Sequence, residues 1–249
     1  MLTSEAQVRH CHFRNGSGNC YDSPVTKRGK FITIEGLDGC GKSTQLNRLA
    51  DALRSEGLDV VVTREPGGTP VGERIRAVLL DSATSGLSPW AELALMFASR
   101  AQHLDQLILP ALEAGKFVLC DRFTDSSEAY QGGGRKLGSA PVLELHRVLC
   151  RDVKPDMTIL MDSDVAQSVA RARRRNARAA GPDGSDENRF EQESRAFFQR
   201  VRDKFLEIAR REPERVFVVD ARPQPDVVHK DILAEVRARL LGTKIALGS

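Results

Sequence analysis

Residues 36–43 form the pattern that most directly predicts a chemistry. This run matches GxxxxGK[ST] in full and lies between a β-rich run and the start of an amphipathic helix. Its members, with the residue that follows them, are Gly36, Leu37, Asp38, Gly39, Cys40, Gly41, Lys42, Ser43 and Thr44. Glycines let backbone N–H groups turn toward phosphate oxygens, and the helix adds the positive end of its dipole. Lys42 can reach the β- and γ-phosphates and Ser43 can ligate Mg²⁺, so this phosphate loop predicts a nucleotide site with Mg²⁺.

Asp121 and Arg122 form a second candidate site. They end an apolar run, KFVLCD at 116–121, which predicts a buried strand. In α/β sheets, ligands bind at the carboxyl ends of the strands, where an arginine can donate two parallel hydrogen bonds to a phosphate. An Asp121 that only caps a turn and pairs with Arg122 is the structural alternative.

Four further motifs follow the phosphate loop in a fixed order. They are TREPGGTPVGERIR (63–76), RAQH (100–103), DRFTDSSEAYQGGGR (121–135) and NRFEQES (188–194). Together with the phosphate loop they resemble the thymidylate kinases, over about residues 30–240. The resemblance implies an enzyme of dTTP biosynthesis that phosphorylates dTMP to dTDP, with ATP as phosphoryl donor and Mg²⁺ as cofactor. It also implies a homodimer, for which the apolar stretch 89–113 is a candidate interface.

The resemblance assigns roles to residues around the acceptor nucleotide. Arg122 would hold the acceptor phosphate, and Asp121 would join Ser43 in the Mg²⁺ and phosphate network. Asp38 would contact the deoxyribose 3′-hydroxyl, with a surface aspartate as the alternative. Arg100 lies on an apolar helix, where a charged side chain needs a partner, and would hydrogen-bond the thymine edge.

Further acceptor contacts are expected on either side of the second motif. Ser126, Ser127, Tyr130 and Gln131 follow Arg122 at a predicted helix start. By the resemblance, Ser127 would help to read the base, and Tyr130 would crowd the 2′ position and favour deoxyribose. Arg64, in the loop that such enzymes use for acceptor-phosphate contacts, is a candidate for such a contact; a solvated ion pair is the alternative.

The residue that stacks on thymine is ambiguous. Thymidylate kinases usually carry an aromatic residue four positions before the base-reading arginine, but here that position holds Met96, and Phe97 follows it. One helical residue is a rotation of about 100°, so either side chain can reach the base after a local rotation. Both could also be ordinary core residues.

A run of arginines predicts a mobile lid. RARRRNAR at 171–178 holds five arginines, and a glycine-rich acidic segment separates it from Arg189. The resemblance implies a lid at about 171–189 that closes over ATP and supplies arginines, since the phosphate loop contains none. We expect Arg175 and Arg189 to be catalytic. A basic face for nucleic acid is the alternative.

Apolar runs that alternate with helical periodicity must position these residues. Strands are predicted at 31–36, 59–63, 116–121, 157–162 and 216–221. Helices are predicted at 43–57, 71–80, 89–113, 140–151, 164–178, 191–211 and 225–240. This alternation predicts an α/β fold of the P-loop NTPase class, a parallel five-stranded sheet flanked by helices on both faces. One domain at 29–242 would follow a disordered extension at 1–28 and precede a flexible tail at 243–249.

Composition excludes several classes of protein. The 249 residues are 41% hydrophobic and 29% charged, outside the disordered range. No run approaches the ~18 apolar residues of a membrane span, and no secretory signal peptide is visible. The net charge of +3 is carried by residues 1–30, which argues against general nucleic-acid binding. An odd number of cysteines, five, favours reduced thiols in the cytoplasm.

Two other functions compete with this prediction. A related kinase could act on another nucleoside monophosphate, and a nucleotide-dependent switch or nucleic-acid-binding ATPase could use the basic run. Arg100 with Ser127 and Tyr130 argues for thymine and deoxyribose. The acceptor motif DRF…SSEAYQ argues against a switch.

Overall fold

The computed structural model describes residues 28–84, 86–176 and 188–242. The predicted tail at 243–249 and all but the last residue of the predicted extension at 1–28 lie outside the described residues. In the described part of the chain, no helix is both long enough and apolar enough to span a membrane. Three cysteines of that part, Cys40, Cys120 and Cys150, are buried free thiols.

Five strands form one parallel sheet, as predicted. They are β1 (Phe31–Gly36), β2 (Val60–Arg64), β3 (Phe117–Asp121), β4 (Met157–Asp162) and β5 (Val216–Asp220). Their order across the sheet is β2-β3-β1-β4-β5, and every neighbouring pair is parallel. Each predicted strand lies within one residue of the observed one, because buried parallel strands are continuous apolar runs bounded by turn residues.

Nine α-helices flank the sheet within the described ranges. They are α1 (Lys42–Ser55), α2 (Pro70–Leu80), α3 (Pro89–His103), α4 (Leu109–Glu113), α5 (Thr124–Ser127), α6 (Ser139–Leu149), α7 (Val165–Asn176), α8 (Arg195–Arg211) and α9 (Pro225–Val236). A π-helical turn, Leu104–Ile108, joins α3 to α4, so the predicted helix 89–113 is one continuous rod with a local irregularity. A second π-helical turn, Glu128–Gly134, extends α5, and a third, Arg237–Leu241, extends α9.

Side-chain caps set several helix starts. Thr69 Oγ1 accepts a hydrogen bond from Gly72 N at 3.0 Å at the start of α2. Ser194 Oγ accepts from Phe197 N at 3.2 Å, and α8 therefore begins at Arg195, four residues later than its periodicity predicts. Each cap satisfies a backbone donor that the helix itself leaves without a partner.

Both faces of the sheet are covered by helices. Ile32 and Ile34 of β1 belong to a buried cluster that also contains Leu49 of α1 and Ile232 of α9. Phe31 points to the opposite face and packs in a second cluster with residues of α3 and α4. Alternate residues of one strand are therefore buried on opposite sides, which explains why the strands are apolar throughout.

The register brings the carboxyl ends of the strands to one edge. Ile34 of β1 and Arg64 of β2 both pair with Asp121 at the end of β3, and Gly36 pairs with Met161 of β4. The phosphate loop after β1 and the segment after β3 are therefore neighbours at this edge.

Candidate active site

The phosphate loop folds around the amine of Lys42. Its three glycines adopt φ angles of 137°, 82° and 102°, a region that favours glycine. Lys42 Nζ donates to Leu37 O at 2.9 Å and to Gly36 O at 3.3 Å, and it lies 3.5 Å from Asp38 Oδ1. The lysine is 6% exposed. The loop therefore holds a buried cation at its centre, as the binding of nucleotide phosphates requires.

Helix α7 packs directly on the phosphate loop. A Cβ atom at Gly39 would lie 2.2 Å from Ser168 O of α7, so a side chain does not fit there. Leu37 and Cys40 are buried beside it, 3% and 2% exposed. The part of α7 that leads into the predicted lid thus touches the loop at a residue that only glycine can occupy.

Ser43 and Asp121 provide neighbouring oxygen atoms at the sheet edge. Ser43 and Thr44 are exposed at the start of α1, and Ser43 Oγ donates to Asp121 Oδ2 at 3.3 Å. Asp121 Oδ1 is buried, with no hydrogen-bond partner in the described ranges. Hydroxyl and carboxylate oxygens are the ligands that Mg²⁺ prefers, so this pair fits a Mg²⁺ site.

Arg122 is the hub of contacts directly after β3. Its φ of 73° is uncommon for a residue other than glycine. Nη2 donates to Asp38 Oδ1 at 2.7 Å and to Tyr130 Oη at 3.2 Å, and Nη1 donates to Ser126 Oγ at 2.8 Å. Burial opposes the charged guanidinium, but the nearby acidic groups, Asp38 foremost, together outweigh burial and raise the pKa of Arg122. Arg122 therefore presents a permanent positive charge beside the phosphate loop.

Glu35 lies beneath Arg122, fully buried in β1. Its Oε1 accepts from Phe123 N at 2.7 Å, and its Oε2 accepts from Ser126 Oγ at 2.5 Å. Burial, helped by the charge of Asp125, raises the pKa of the Glu35 carboxyl to about 8. Glu35 thus holds both the backbone after Arg122 and the hydroxyl that orients its guanidinium.

Arg100 is buried at the opposite side of the same region. Its Nε donates to Glu65 Oε2 at 2.7 Å, and its Nη2 donates to Phe123 O at 3.1 Å and Ser127 Oγ at 2.9 Å. Burial opposes ionisation of Glu65, but Arg100 and His103 lower its pKa. Arg100 Nη1 is also buried and finds no partner among the residues described. A rigidly held donor is therefore left for a ligand.

These groups border one open space of about 690 Å³, a volume that includes the solvent at its mouth. We call it the central pocket. Its lining consists of Asp38, Glu65, Pro66, Arg76, Leu80, Met96, Arg100, Arg122, Phe123, Ser126, Ser127, Tyr130, Gln131, Phe190 and Glu191. Every residue predicted to contact the acceptor lies in this lining except Arg64 and Phe97.

Phe97 belongs to the core rather than to the pocket lining. It is fully buried with residues of the second cluster, and its ring centroid lies 4.6 Å from the guanidinium carbon of Arg100. Met96, one residue earlier, lines the pocket. The rotation of about 100° between successive helical residues separates the two.

Arg64 is not among the residues that line the pocket. Its side chain is half exposed and donates to Glu73 Oε2 at 3.0 Å. Arg76 of α2 lines the pocket instead, and its Nη1 donates to Pro66 O at 2.9 Å. The solvated ion pair that the sequence left open for Arg64 is thus the contact observed.

A buried carboxylate organises one wall of the pocket. Glu92 Oε1 accepts from Gln131 Nε2 at 2.8 Å, and Glu92 Oε2 accepts from Arg135 Nη2 at 3.0 Å and from Arg189 Nη1 at 2.7 Å. We call these four residues the Glu92 cluster. Gln131 Oε1 is buried without a hydrogen-bond partner in the described part of the chain.

The predicted lid is described only at its two ends. Arg171 is exposed and donates to Gln167 Oε1 at 3.3 Å. The side chain of Arg175 and residues 177–187 lie outside what is described. Arg189 donates to Leu79 O as well as to Glu92, so its contacts lie with α2 and α3 rather than with the phosphate loop.

Several residues that shape the pocket were not anticipated from the sequence. Glu35 and Glu92 are acidic residues inside an apolar strand and an amphipathic helix, and that placement is itself a signal, because a buried carboxylate needs partners. Arg76, Phe123 and Phe190 lie inside the quoted motifs, but nothing in the spacing of those motifs indicates where their side chains point.

Comparison with known proteins identifies relatives of the whole domain. The family model for thymidylate kinase matches residues 34–232. The chain is 49% identical over 210 residues to a thymidylate kinase of Trichlorobacter lovleyi, covering 84% of this chain and 98% of that protein. It is 50% identical over 193 residues to a thymidylate kinase of Pseudomonas fluorescens, covering 78% and 88% of the two chains.

A solved structure has the same fold. The crystal structure of a thymidylate kinase from Ehrlichia chaffeensis superposes with a TM-score of 0.66 at 34% sequence identity. The match covers 84% of this chain and 99% of that chain.

Proposed function

Because this chain belongs to the thymidylate kinase family, it phosphorylates dTMP to dTDP with ATP as the donor, and we propose that the central pocket binds the dTMP. In the transfer, an oxygen of the acceptor phosphate bonds to the γ-phosphorus of ATP, and ADP leaves with the bridging oxygen. We propose residues 29–242 as the kinase domain; the family match at 34–232 lies within it.

The observation that carries this proposal is a pair of buried atoms in the pocket lining. Arg100 Nη1 is a donor and Gln131 Oε1 is an acceptor, and both lack a partner within the described ranges. Thymine presents an acceptor, O4, next to a donor, N3–H, whereas cytosine presents an amino donor next to an acceptor nitrogen. A buried polar atom without a partner costs about 1–3 kcal/mol, so this pair favours thymine and disfavours cytosine.

We propose that Arg122 binds the acceptor phosphate and that the Asp38 carboxylate accepts a hydrogen bond from the 3′-hydroxyl of the deoxyribose. Both line the pocket at its border with the phosphate loop, where they are paired with each other. Tyr130 Oη donates to Asp38 Oδ2 at 3.2 Å, which supports a fixed ring against the sugar that disfavours a 2′-hydroxyl. Ser126 and Ser127 orient the guanidinium groups of Arg122 and Arg100.

Met96 is our candidate for packing on the thymine ring, since it lines the pocket. We assign Phe97 the support of Arg100, because its ring lies against that guanidinium. A thioether is polarisable and packs well on an aromatic face.

On the donor side, we propose that the N–H groups of the phosphate loop and Lys42 bind the ATP phosphates. Ser43 and Asp121 would hold Mg²⁺, which when bound would neutralise phosphate charge. The acceptor phosphate carries its own nucleophilic oxygen, so no strong general base is needed. Catalysis consists of alignment and of positive charge from Lys42 and Arg122.

We propose Arg175 as the lid arginine that reaches the transferring phosphoryl group, because α7 packs on the phosphate loop at Gly39. The contacts of Arg189 with Glu92 and Leu79 favour an anchoring role for Arg189 over a contact with phosphate.

We also propose a homodimer formed through α2, α3 and α6. Large apolar side chains are exposed on all three helices: Val78 of α2 is 47% exposed, Trp90 of α3 58% and Leu143 of α6 40%. Apolar surface grouped on neighbouring helices is typical of an interface. A cytoplasmic location is supported by the three buried free thiols, because thiols stay reduced there.

One assay tests the proposed function. ADP release is coupled to a detector and measured with dTMP, dUMP, dCMP and dGMP in turn, and with no acceptor as the control. We expect turnover to require an acceptor, and we expect kcat/KM for dTMP to exceed kcat/KM for dCMP by at least tenfold. A preference for another monophosphate would indicate a related kinase, and equal ADP release without acceptor would indicate a switch or an ATPase.

A further inference from the structure

We infer that Glu92 is a specificity-determining positioning residue, which fixes the direction of the Gln131 amide and thereby sets the preference for thymine. This inference rests on the proposed function of the central pocket. Glu92 itself is not among the residues that line the pocket, so it acts through Gln131.

The chemistry of an amide makes such a residue necessary. The oxygen and nitrogen of a glutamine side chain are almost the same size, so Gln131 can turn either a donor or an acceptor toward a ligand. An acceptor suits the N3–H of thymine, whereas a donor suits the unprotonated N3 of cytosine. Without a fixed direction of its amide, Gln131 would bind thymine and cytosine equally well and would not discriminate between them.

Glu92 provides the fixed direction because its carboxylate can only accept. Its Oε1 lies 2.8 Å from Gln131 Nε2, so a reversed amide would place an oxygen against a carboxylate oxygen. Arg135 Nε donates to the same Oε1 at 3.1 Å, and Arg189 Nη1 donates to Oε2 at 2.7 Å. These two cations hold the carboxyl group as an acceptor on both oxygens.

The surroundings prevent the carboxylate from moving aside. Glu92 is fully buried and Gln131 is 1% exposed, so little water competes for either group. The guanidinium carbon of Arg135 lies 4.9 Å from the Phe197 ring, and that of Arg189 lies 4.5 Å from the Phe190 ring. The partners of Glu92 are thus themselves held by packing, and the orientation of Gln131 is imposed before any ligand arrives.

The test compares Glu92→Gln with the matched control Glu193→Gln. Glu193 also pairs with Arg135, but the Gln131 amide donates to Glu92 and not to Glu193. The kcat/KM ratio of dTMP to dCMP is measured for both variants and the wild type. We expect Glu92→Gln to lower this ratio at least tenfold, mainly through a higher KM for dTMP and a lower KM for dCMP. Glu193→Gln should stay within twofold of the wild type.

A double-mutant cycle separates positioning from general structural support. If Glu92 acts through Gln131, then Glu92→Gln added to Gln131→Ala should change the ratio no further than Gln131→Ala alone. A folded Glu92→Gln enzyme with an unchanged ratio would overturn the inference, and so would fully additive effects. A purely structural role would lower kcat for dTMP and dCMP equally, which also overturns it.

Two further results complete the design. If Glu92→Gln does not fold, Glu92→Asp keeps the charge for both arginines but withdraws the acceptor by one methylene, and the same loss of preference is expected; an unchanged ratio overturns the inference. A wild-type enzyme that shows no preference for dTMP would overturn the proposed function itself, a result independent of any Glu92 variant.

Discussion

The phosphate loop and the central pocket are built in opposite ways. The contacts of Lys42 within the loop join residues at most six positions apart, and two of its three partners are backbone carbonyls. In the pocket, Arg100 reaches Glu65, 35 positions away, and Arg122 reaches Asp38, 84 positions away. The loop therefore depends on a local backbone conformation, whereas the pocket depends on side chains that the whole fold brings together. Changes in the loop should affect every acceptor equally, and changes in the pocket should affect the choice of acceptor.

The largest expected effect lies in the loop. Lys42→Ala removes the buried cation at the centre of the loop and should lower kcat by about a thousandfold or more with every acceptor. Turnover of dTMP and dUMP under saturating ATP measures it, with a melting curve to confirm folding. Near-normal turnover would show that the phosphate loop does not take part in phosphoryl transfer, and the proposed difference between loop and pocket would be wrong.

Arg122 lines the pocket but should behave like the phosphate loop, because its proposed ligand is the phosphate that every acceptor shares. Arg122→Ala removes charge-assisted hydrogen bonds to the reacting group. For each monophosphate, kcat/KM should fall roughly a hundredfold or more, a loss of at least about 3 kcal/mol in transition-state stabilisation. Arg122→Lys is the control that keeps the charge without the forked geometry and should recover part of the loss. A loss confined to dTMP would assign Arg122 to the base instead of the phosphate.

Arg100 should affect preference more than rate. Arg100→Ala removes the Nη1 donor, and the kcat/KM ratio of dTMP to dCMP should fall by about tenfold or more. Because Arg100 is buried and donates hydrogen bonds to Glu65 and Ser127, the melting temperature of the variant must be measured first to confirm that it folds. A folded variant that retains the full preference for dTMP would make Arg100 a structural ion-pair partner only.

The last expected effect concerns the pH dependence of stability and the buried carboxyl of Glu35, and it does not act on turnover. The pKa of the Glu35 carboxyl in the folded protein is about 8, above its ordinary value of 4.5. At pH values between these two, Glu35 therefore holds a proton in the folded protein that it releases in the unfolded chain. Stability of the wild type should therefore decline as pH rises from about 5 to about 8. Glu35→Gln cannot titrate, and its melting temperature should decline less over that interval. If the melting temperatures of the two proteins declined equally with pH, the raised pKa of Glu35 would be contradicted.

How much of the molecule was predictable follows from the same comparison. All five strands and their parallel arrangement were predictable, because apolar runs and glycine stops are local signals. The phosphate loop was predictable in full, since its eight positions are contiguous. The start of α8 was misplaced because the periodicity continues upstream of the Ser194 cap.

The pocket was predictable only where a family motif named its residues. The direction of Met96 and Phe97 depends on the rotation of α3, and the contact of Arg64 with Glu73 depends on the fold of the REPGG loop. Glu35 and Glu92 act on residues 91 and 39 positions away, a distance over which one sequence carries no pairing signal.

The pairing of Arg122 with Asp38 has a consequence for how dTMP enters. Asp38 serves Arg122 as a resident counterion, held 2.7 Å away. If Arg122 binds the acceptor phosphate as proposed, an incoming phosphate would exchange with a carboxylate of the protein rather than with dissolved anions, and the released carboxylate would become available to the sugar. Ions of the buffer take little part in that exchange, so the affinity for dTMP should respond only weakly to ionic strength, in contrast to sites where bare cations attract a phosphate through solvent.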